Sequence, residues 1–196
     1  MTTIQAESRD KRRELLERAL ERFAARGYDA VGVQEIAEAA GVTKPTLYHY
    51  FGSKEGLLRA LLERRFEELE AAIQAAAEYH HDLSGTLRRV AAAFFRFAGD
   101  YPVDYRLQLS LWFAPAESHS FLIVSGLNAR LQRLMEDLFL RAVQDHGNMR
   151  GRHRAYAASF LGIINTYIGL TLNGYLQPDR ELVRRVVHQF EHGIYS

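Results

Sequence analysis

Val33-Gln34-Glu35-Ile36-Ala37-Glu38-Ala39-Ala40-Gly41-Val42-Thr43-Lys44-Pro45-Thr46-Leu47-Tyr48-His49-Tyr50-Phe51-Gly52-Ser53-Lys54-Glu55-Gly56-Leu57-Leu58 is the stretch that decides how this chain folds. Val33, Ile36, Ala37 and Ala40 share one face of a short helix. Gly41 supplies a turn, Val42 buries beside it, and Thr43 opens a second short helix over roughly Lys44 to Tyr50. Two short helices joined this way have the shape of a helix-turn-helix, whose second helix enters the DNA major groove. Helices this brief make a poor core alone and are marginal without a specialised reason.

Working outward, Gly52-Ser53 breaks the second helix, and Ser53 caps a longer one starting at Lys54. Leu57, Leu58, Leu61, Leu62, Phe66, Leu69 and Ile73 keep helical spacing to about Tyr79, long enough to connect to a second domain. Upstream, Leu15, Leu16, Ala19, Leu20 and Phe23 share a face of an Arg9–Arg26 helix. Gly27 caps it, and Tyr28 packs back on Phe23. Downstream, polar His80-His81-Asp82 ends the long helix, and further helices are expected over 84–99, 101–113, 118–147, 152–175 and from Pro178-Asp179 onward. Pro102 sits in a first turn, where a missing N–H costs nothing. No strand pattern and no internal repeat is evident. The expectation is an all-α chain of about nine helices. Residues 1–54 form a three-helix helix-turn-helix domain, and 55–196 form an α-helical effector-binding and dimerisation domain.

The chain has 196 residues, 47% hydrophobic and 25% charged, which describes a folded protein with room for a real core. The absence of cysteine excludes disulfides, thiol catalysis and zinc sites with Cys ligands, and suits a reducing, cytoplasmic setting. The charged N-terminus lacks the apolar core of a secretory signal. The most apolar run, Ala155 to Gly174, contains Asn165, Thr166, Thr171 and Asn173, and reads as a buried helix rather than a membrane span. The net charge of +1 argues weakly against a nucleic-acid partner, but a basic face can sit on a neutral protein.

At the helix-turn-helix the side chains carry their own chemistry. Thr43 is placed as an N-cap, able to bond the free first-turn N–H groups or to meet a phosphate. Lys44 projects where recognition helices reach base edges or backbone. Pro45 stiffens the first turn, and Thr46 is free to meet a base edge or a thymine methyl. Leu47 points inward, while Tyr48 and His49 can donate to phosphate oxygens. Lys54, at a helix start, has the wrong sign for the dipole, and a bound phosphate would resolve that mismatch.

These residues also carry a resemblance. Phe23-Ala24-Ala25-Arg26-Gly27-Tyr28, Ile36-Ala37-Glu38-Ala39-Ala40-Gly41-Val42, Thr43 to Phe51 and Ser53-Lys54-Glu55 resemble the DNA-binding domain of the TetR/AcrR family of bacterial transcriptional regulators. The resemblance covers about a quarter of the chain directly. It implies that Thr43, Lys44, Pro45, Thr46, Tyr48 and His49 face the major groove, with Tyr48 and Lys54 on phosphates. Two departures are present. Gly32 stands where members often carry a Thr or Ser cap, leaving Glu35 to accept the cap N–H. Pro45 replaces a smaller residue.

A homodimer on a palindromic double-stranded operator is implied by the resemblance, and by the few base pairs that one short helix can read. The expected interface is the last two helices, through Ile164, Ile168, Leu172, Val186 and Phe190, with Ile194 nearby. The family also implies a small, largely apolar effector that releases a repressor from DNA. Trp112, Phe94, Tyr105, Phe121 and Asn165 are the expected contacts, from aromatic density between Phe94 and Phe121. His188 and His192 are four apart on a helix, but no third ligand is fixed nearby, so no metal and no cofactor is expected. No nucleophile–base arrangement and no phosphate-binding glycine loop stands out, so an enzyme is not expected. A ligand-independent DNA-binding regulator, or less favourably an all-helical enzyme, are the alternatives.

Overall fold

The computed structural model of the protein describes residues 3–193, so Ile194 lies outside the described residues. Among those described there are nine α-helices and no strand: α1 (Thr3–Arg26), α2 (Val33–Ala39), α3 (Lys44–Phe51), α4 (Lys54–Ala76), α5 (Leu83–Asp100), α6 (Pro102–Trp112), α7 (His119–Ala142), α8 (His153–Leu172) and α9 (Arg180–His192). A single 3-10 turn, Gly147–Met149, separates α7 from α8. The chain is the all-α protein that the periodicities predict, with α4 as the long link between the N-terminal helices and the helical bundle.

Two compact units divide the chain, one up to Arg65 plus Val103–Ser125, the other Phe66–Pro102 plus Gly126 onward. The boundaries fall inside α4 and α7 and after the first residue of α6. In the first unit, Leu15, Leu16, Ala19 and Phe23 of α1 close on Ile36 and Ala37 of α2, Leu47 of α3, and Leu57, Leu58 and Leu61 of α4, each at most 1% exposed. Each such large side chain contributes roughly 1.5–3 kcal/mol on burial, which is what lets two very short helices persist. In the second unit α5 packs on α8 and α9. Its Leu87, Val90, Ala91 and Phe94 meet a core that includes Phe160, Ile164 and Ile168 of α8 and Leu182, Val186 and Val187 of α9, all buried. Phe139, Phe160 and Phe190 stand ring to ring at 5.0–6.4 Å.

Helix ends differ from the periodic reading where side chains compete for the backbone. α4 stops at Ala76, short of Tyr79. There Arg141 of α7 donates to the Ala77 carbonyl (3.2 Å) and Arg89 of α5 to that of Glu78 (2.9 Å), satisfying carbonyls the next helical turn would have used. Tyr79 turns out and donates to Asp145 at 2.6 Å, and His81 Nδ1 lies 2.9 Å from the same carboxylate oxygen. His81 is left-handed at φ 59°. α8 ends at Leu172 rather than Tyr175, through Gly174 N–H to Thr171 O and Tyr175 N–H to Leu170 O, both 3.0 Å, the paired bonds of a Schellman cap. α7 ends at Ala142, before the expected Gly147, and Asp145 and His146 both donate to the Ala142 carbonyl. Asp82 and Asp179 cap α5 and α9 by accepting from Gly85 and Leu182.

Candidate nucleic-acid interface

The turn between α2 and α3 is also a Schellman cap. Val42 N–H reaches Ala37 O (2.9 Å) and Gly41 N–H reaches Glu38 O (3.0 Å). Gly41 takes φ +64°, a conformation that costs a residue with a Cβ about 1–2 kcal/mol. The chain re-enters a helix at once. Thr43 is extended (φ −88°, ψ 156°), and its hydroxyl accepts from Thr46 N–H at 3.4 Å while lying 2.9 Å from the Thr46 hydroxyl. Lys44 and Pro45 form the first turn, where Pro45 gives up an N–H with no helical partner.

Burial then sets the side-chain directions. Leu47 is fully buried, which turns Thr43, Lys44, Pro45, Tyr48 and His49 to solvent and leaves Thr46 half-buried. The six expected residues therefore share one outward face. Lys44 Nζ stands 5.7 Å from the Tyr48 ring centre, one turn along. No acidic residue occurs between Glu38 and Glu55, so this face is locally basic although the whole chain is near neutral. Such a surface matches the phosphate backbone, with side chains short enough to approach base edges.

The far end of α3 is held by contacts that no spacing rule reveals. The Tyr50 hydroxyl lies 3.1 Å from Ser8 Oγ, and the Arg12 guanidinium lies over the Phe51 ring at 5.2 Å, both from α1. Gly52 N–H bonds Tyr48 O at 2.8 Å, and Ser53 Oγ accepts from Gly56 N–H at 3.0 Å, capping α4. A Cβ on Gly56 would lie 2.0 Å from the Phe51 carbonyl oxygen, so the two helices meet there backbone to backbone.

Lys54 is anchored within the protein rather than left for a phosphate alone to compensate. Its Nζ lies 4.2 Å from the Tyr28 ring centre and 6.0 Å from that of Phe23, and donates to Asp29 O at 3.5 Å. Partial burial lowers its pKa, partly offset by Asp29 and Glu55. The Glu55 carboxyl, bonded by its own backbone N–H and by the Ser53 hydroxyl, is held below its ordinary range and supplies the negative charge this helix start favours. Gly32 caps α2 without a side chain. Glu35 does not close a capping box, because its carboxylate is taken by Arg26, which donates to both oxygens at 2.8 Å. Tyr28 packs on Phe23 at 5.1 Å between ring centres.

The other expected sites divide between the units. Trp112 (42% exposed) and Phe121 stack at 5.9 Å and 30° in the first unit. Tyr105, in the same unit, is buried, which pushes its phenol well above its ordinary pKa. Phe94 is buried in the second unit, and Asn165 is half-buried there on α8. Of the five expected interface residues, Ile164, Ile168 and Val186 are fully buried within the protomer itself, whereas Leu172 and Phe190 are half-buried. Apolarity marks α8 and α9 for burial but not which of their faces turns inward within the protomer. His188 and His192 stack at 4.6 Å, and no group of three or more His, Asp or Glu that could hold a metal occurs among the described residues.

A short helix pair joined by a tight glycine turn, presenting a basic outward face on an all-helical scaffold, has the form of a helix-turn-helix. Residues 15–61 match the model of the bacterial regulatory proteins of the tetR family. It is 43% identical over 100 residues to the HTH-type transcriptional activator FasR of Mycolicibacterium smegmatis, an alignment covering 50% of this chain but 46% of that one. The match thus spans under half of that relative. The HTH-type transcriptional regulator BetI of Brucella canis is 26% identical over 87% of this chain and 95% of its own. The fold is shared with the transcriptional regulator FadR of Bacillus subtilis in complex with stearoyl-CoA (TM-score 0.79, 19% identity, 93% of this chain and 98% of that one).

Proposed function

We propose that this protein is a sequence-specific, DNA-binding transcriptional regulator rather than an enzyme. It acts as a homodimer on a near-palindromic operator in the cytoplasm. The observation that carries the reading is the acid-free outward face of α3, with Thr43, Lys44, Pro45, Tyr48 and His49 all turned to solvent by the burial of Leu47. In this reading residues 1–54 read DNA, with Lys44 and Thr46 on base edges and Tyr48 and Lys54 on phosphates. Residues 55–196 bind the effector and dimerise. Selection of bound sequences from a random DNA pool, followed by footprinting, tests it. An inverted repeat covered by two protomers, or by a pair of dimers, is expected; one protomer on an asymmetric site defeats it.

The dimer has its own support in α8. This helix is long and apolar enough to cross a membrane by length and composition, yet only 22% of its apolar window is buried within the protomer. Ala157, Phe160, Ile164 and Ile168 form the inward stripe. The opposite face is lined by small residues, Ala155, Ser159, Gly162 and Thr166, all exposed, which would allow close approach of a second helix. A second copy covering that face, together with Leu172 and Phe190, accounts for the unburied apolar surface without a membrane.

Repression relieved by a small, largely apolar effector is the proposed mode, with Trp112 and Phe121 the pair placed against the ligand. An effector can release DNA only by preferring the non-binding shape. Trp112→Ala should cost no more than about 2 kcal/mol, since the side chain is already part-exposed. It should abolish effector-driven release while DNA affinity persists. Release from the variant by every compound that releases wild type removes Trp112 from the site. FasR, an activator by name, favours activation as the second reading. Transcription from a template bearing the selected operator distinguishes the two.

A further inference from the structure

The second unit contains an apolar cavity of whose lining the roles above use only Phe190. Its volume is about 220 Å3, and it is lined by Leu83 and Leu87 of α5, Phe139 of α7, Met149 of the 3-10 turn, Tyr156 of α8 and Phe190 of α9. His146 and Glu191 stand at its edge. Leu87 and Phe139 are closed to solvent, whereas His146 and Glu191 are exposed, so the cavity has a dry floor and a polar mouth. Three rings surround it. Phe139 lies 5.8 Å from Tyr156 and 6.0 Å from Phe190, and Tyr156 meets Phe190 nearly edge to face at 6.5 Å. A cavity of roughly 150 Å3 lined by Leu and Phe stays dry and takes a benzene ring, so this one suits a single or fused ring and little more.

The mouth narrows the chemistry further. An ionised carboxylate only accepts hydrogen bonds, and the Glu191 carboxylate has no hydrogen-bond or ion-pair partner among the described residues. A molecule seated on the aromatic floor would meet that acceptor at its outer end. We propose that this cavity is a second small-molecule site, distinct from the Trp112–Phe121 region, for a compact aromatic molecule carrying one N–H or O–H donor. The ring packs among Phe139, Tyr156 and Phe190, and the donor bonds Glu191. His146 at the mouth directly follows Asp145, the carboxylate that holds Tyr79 and His81.

The methionine methyl groups offer a direct readout, because the chain has only three methionines. With methyl-labelled full-length protein titrated with indole, the Met149 resonance should shift and saturate. Leu87→Phe, which fills the cavity, should abolish the shift. Glu191→Leu, at an exposed position that leaves folding intact, should weaken indole about tenfold, as loss of a charge-assisted hydrogen bond does. Binding of 1-methylindole, which has no donor, should be unchanged. An unsaturable or absent Met149 shift in wild type overturns the proposal. So does equal weakening of both indoles by Glu191→Leu, or a shift that survives in a folded Leu87→Phe protein.

Discussion

Lys54 carries its charge where a helix least favours it, and the protein answers with the Tyr28 ring, the Asp29 carbonyl and the neighbouring Glu55. The ammonium is therefore positioned before any DNA arrives, and its contribution should be a backbone one. Lys54→Ala should weaken operator and random DNA by similar factors and reduce the salt slope by about 1. Thr46→Ala should instead narrow the gap between operator and random DNA, measured by titration at several salt concentrations. If Lys54→Ala affects the operator alone, the two roles are exchanged. Gly56 makes a sharper claim. Gly→Ala inside a helix ordinarily gains roughly 0.5–1 kcal/mol. Here the new methyl would lie 2.0 Å from a backbone oxygen. Gly56→Ala should lower stability by about 1–3 kcal/mol in chemical denaturation; a stabilised variant would show that the contact relaxes freely. At this scale the sequence was informative where one residue does one job, as with the Thr43 cap and the inward Leu47. It was silent where the partner is distant in sequence. Nothing near Glu35 announces Arg26 as its partner, and nothing near Tyr50 announces Ser8.

Elements were legible in number and order, because apolar periodicity repeats over many residues and survives local noise. Their ends were less so. α4 ends before the turn expected to reach Tyr79, and the guanidinium groups of Arg89 and Arg141 take the carbonyls at 77 and 78 that follow it. The same corner has a pH dependence. Hydrogen bonds from Tyr79 and His81 hold the Asp145 carboxyl below its ordinary range, while burial and the carboxylate push the Tyr79 phenol up to about 12. A depressed carboxyl stabilises the fold fully above its unfolded pKa and ceases to do so as pH falls through the folded one. Asp145→Asn should therefore lower Tm at neutral pH and flatten the acid limb of a Tm–pH series. Parallel curves for variant and wild type would show that the contact does not bear on folding.

For the whole molecule, α8 is the helix on which the proposed dimer rests. Its sequence is apolar over much of its circumference, so composition could mark it for burial but not say which stripe belongs to the protomer and which to a partner. In the structure Ile168 lies inside the protomer and Gly162 outside, with nothing near it. Gly162→Glu should leave each protomer folded but monomeric by sedimentation. Ile168→Asp should unfold it, because an unpaired buried charge costs several kcal/mol. A stable dimer of the Gly162 variant would move the interface elsewhere. The outward face of α3 was more legible because one short segment contains it. The contact between Gly56 and the Phe51 carbonyl has a mechanical consequence. With no side chain as a cushion, α3 and the start of α4 behave as a stiff elbow, and the reading helix inherits its bearing from α4. A helix of 23 residues is about 35 Å long, so a tilt of roughly 5° about one end displaces the other by about 3 Å. That is a hydrogen-bond length, enough to make or break whatever contact the outer end of α3 carries.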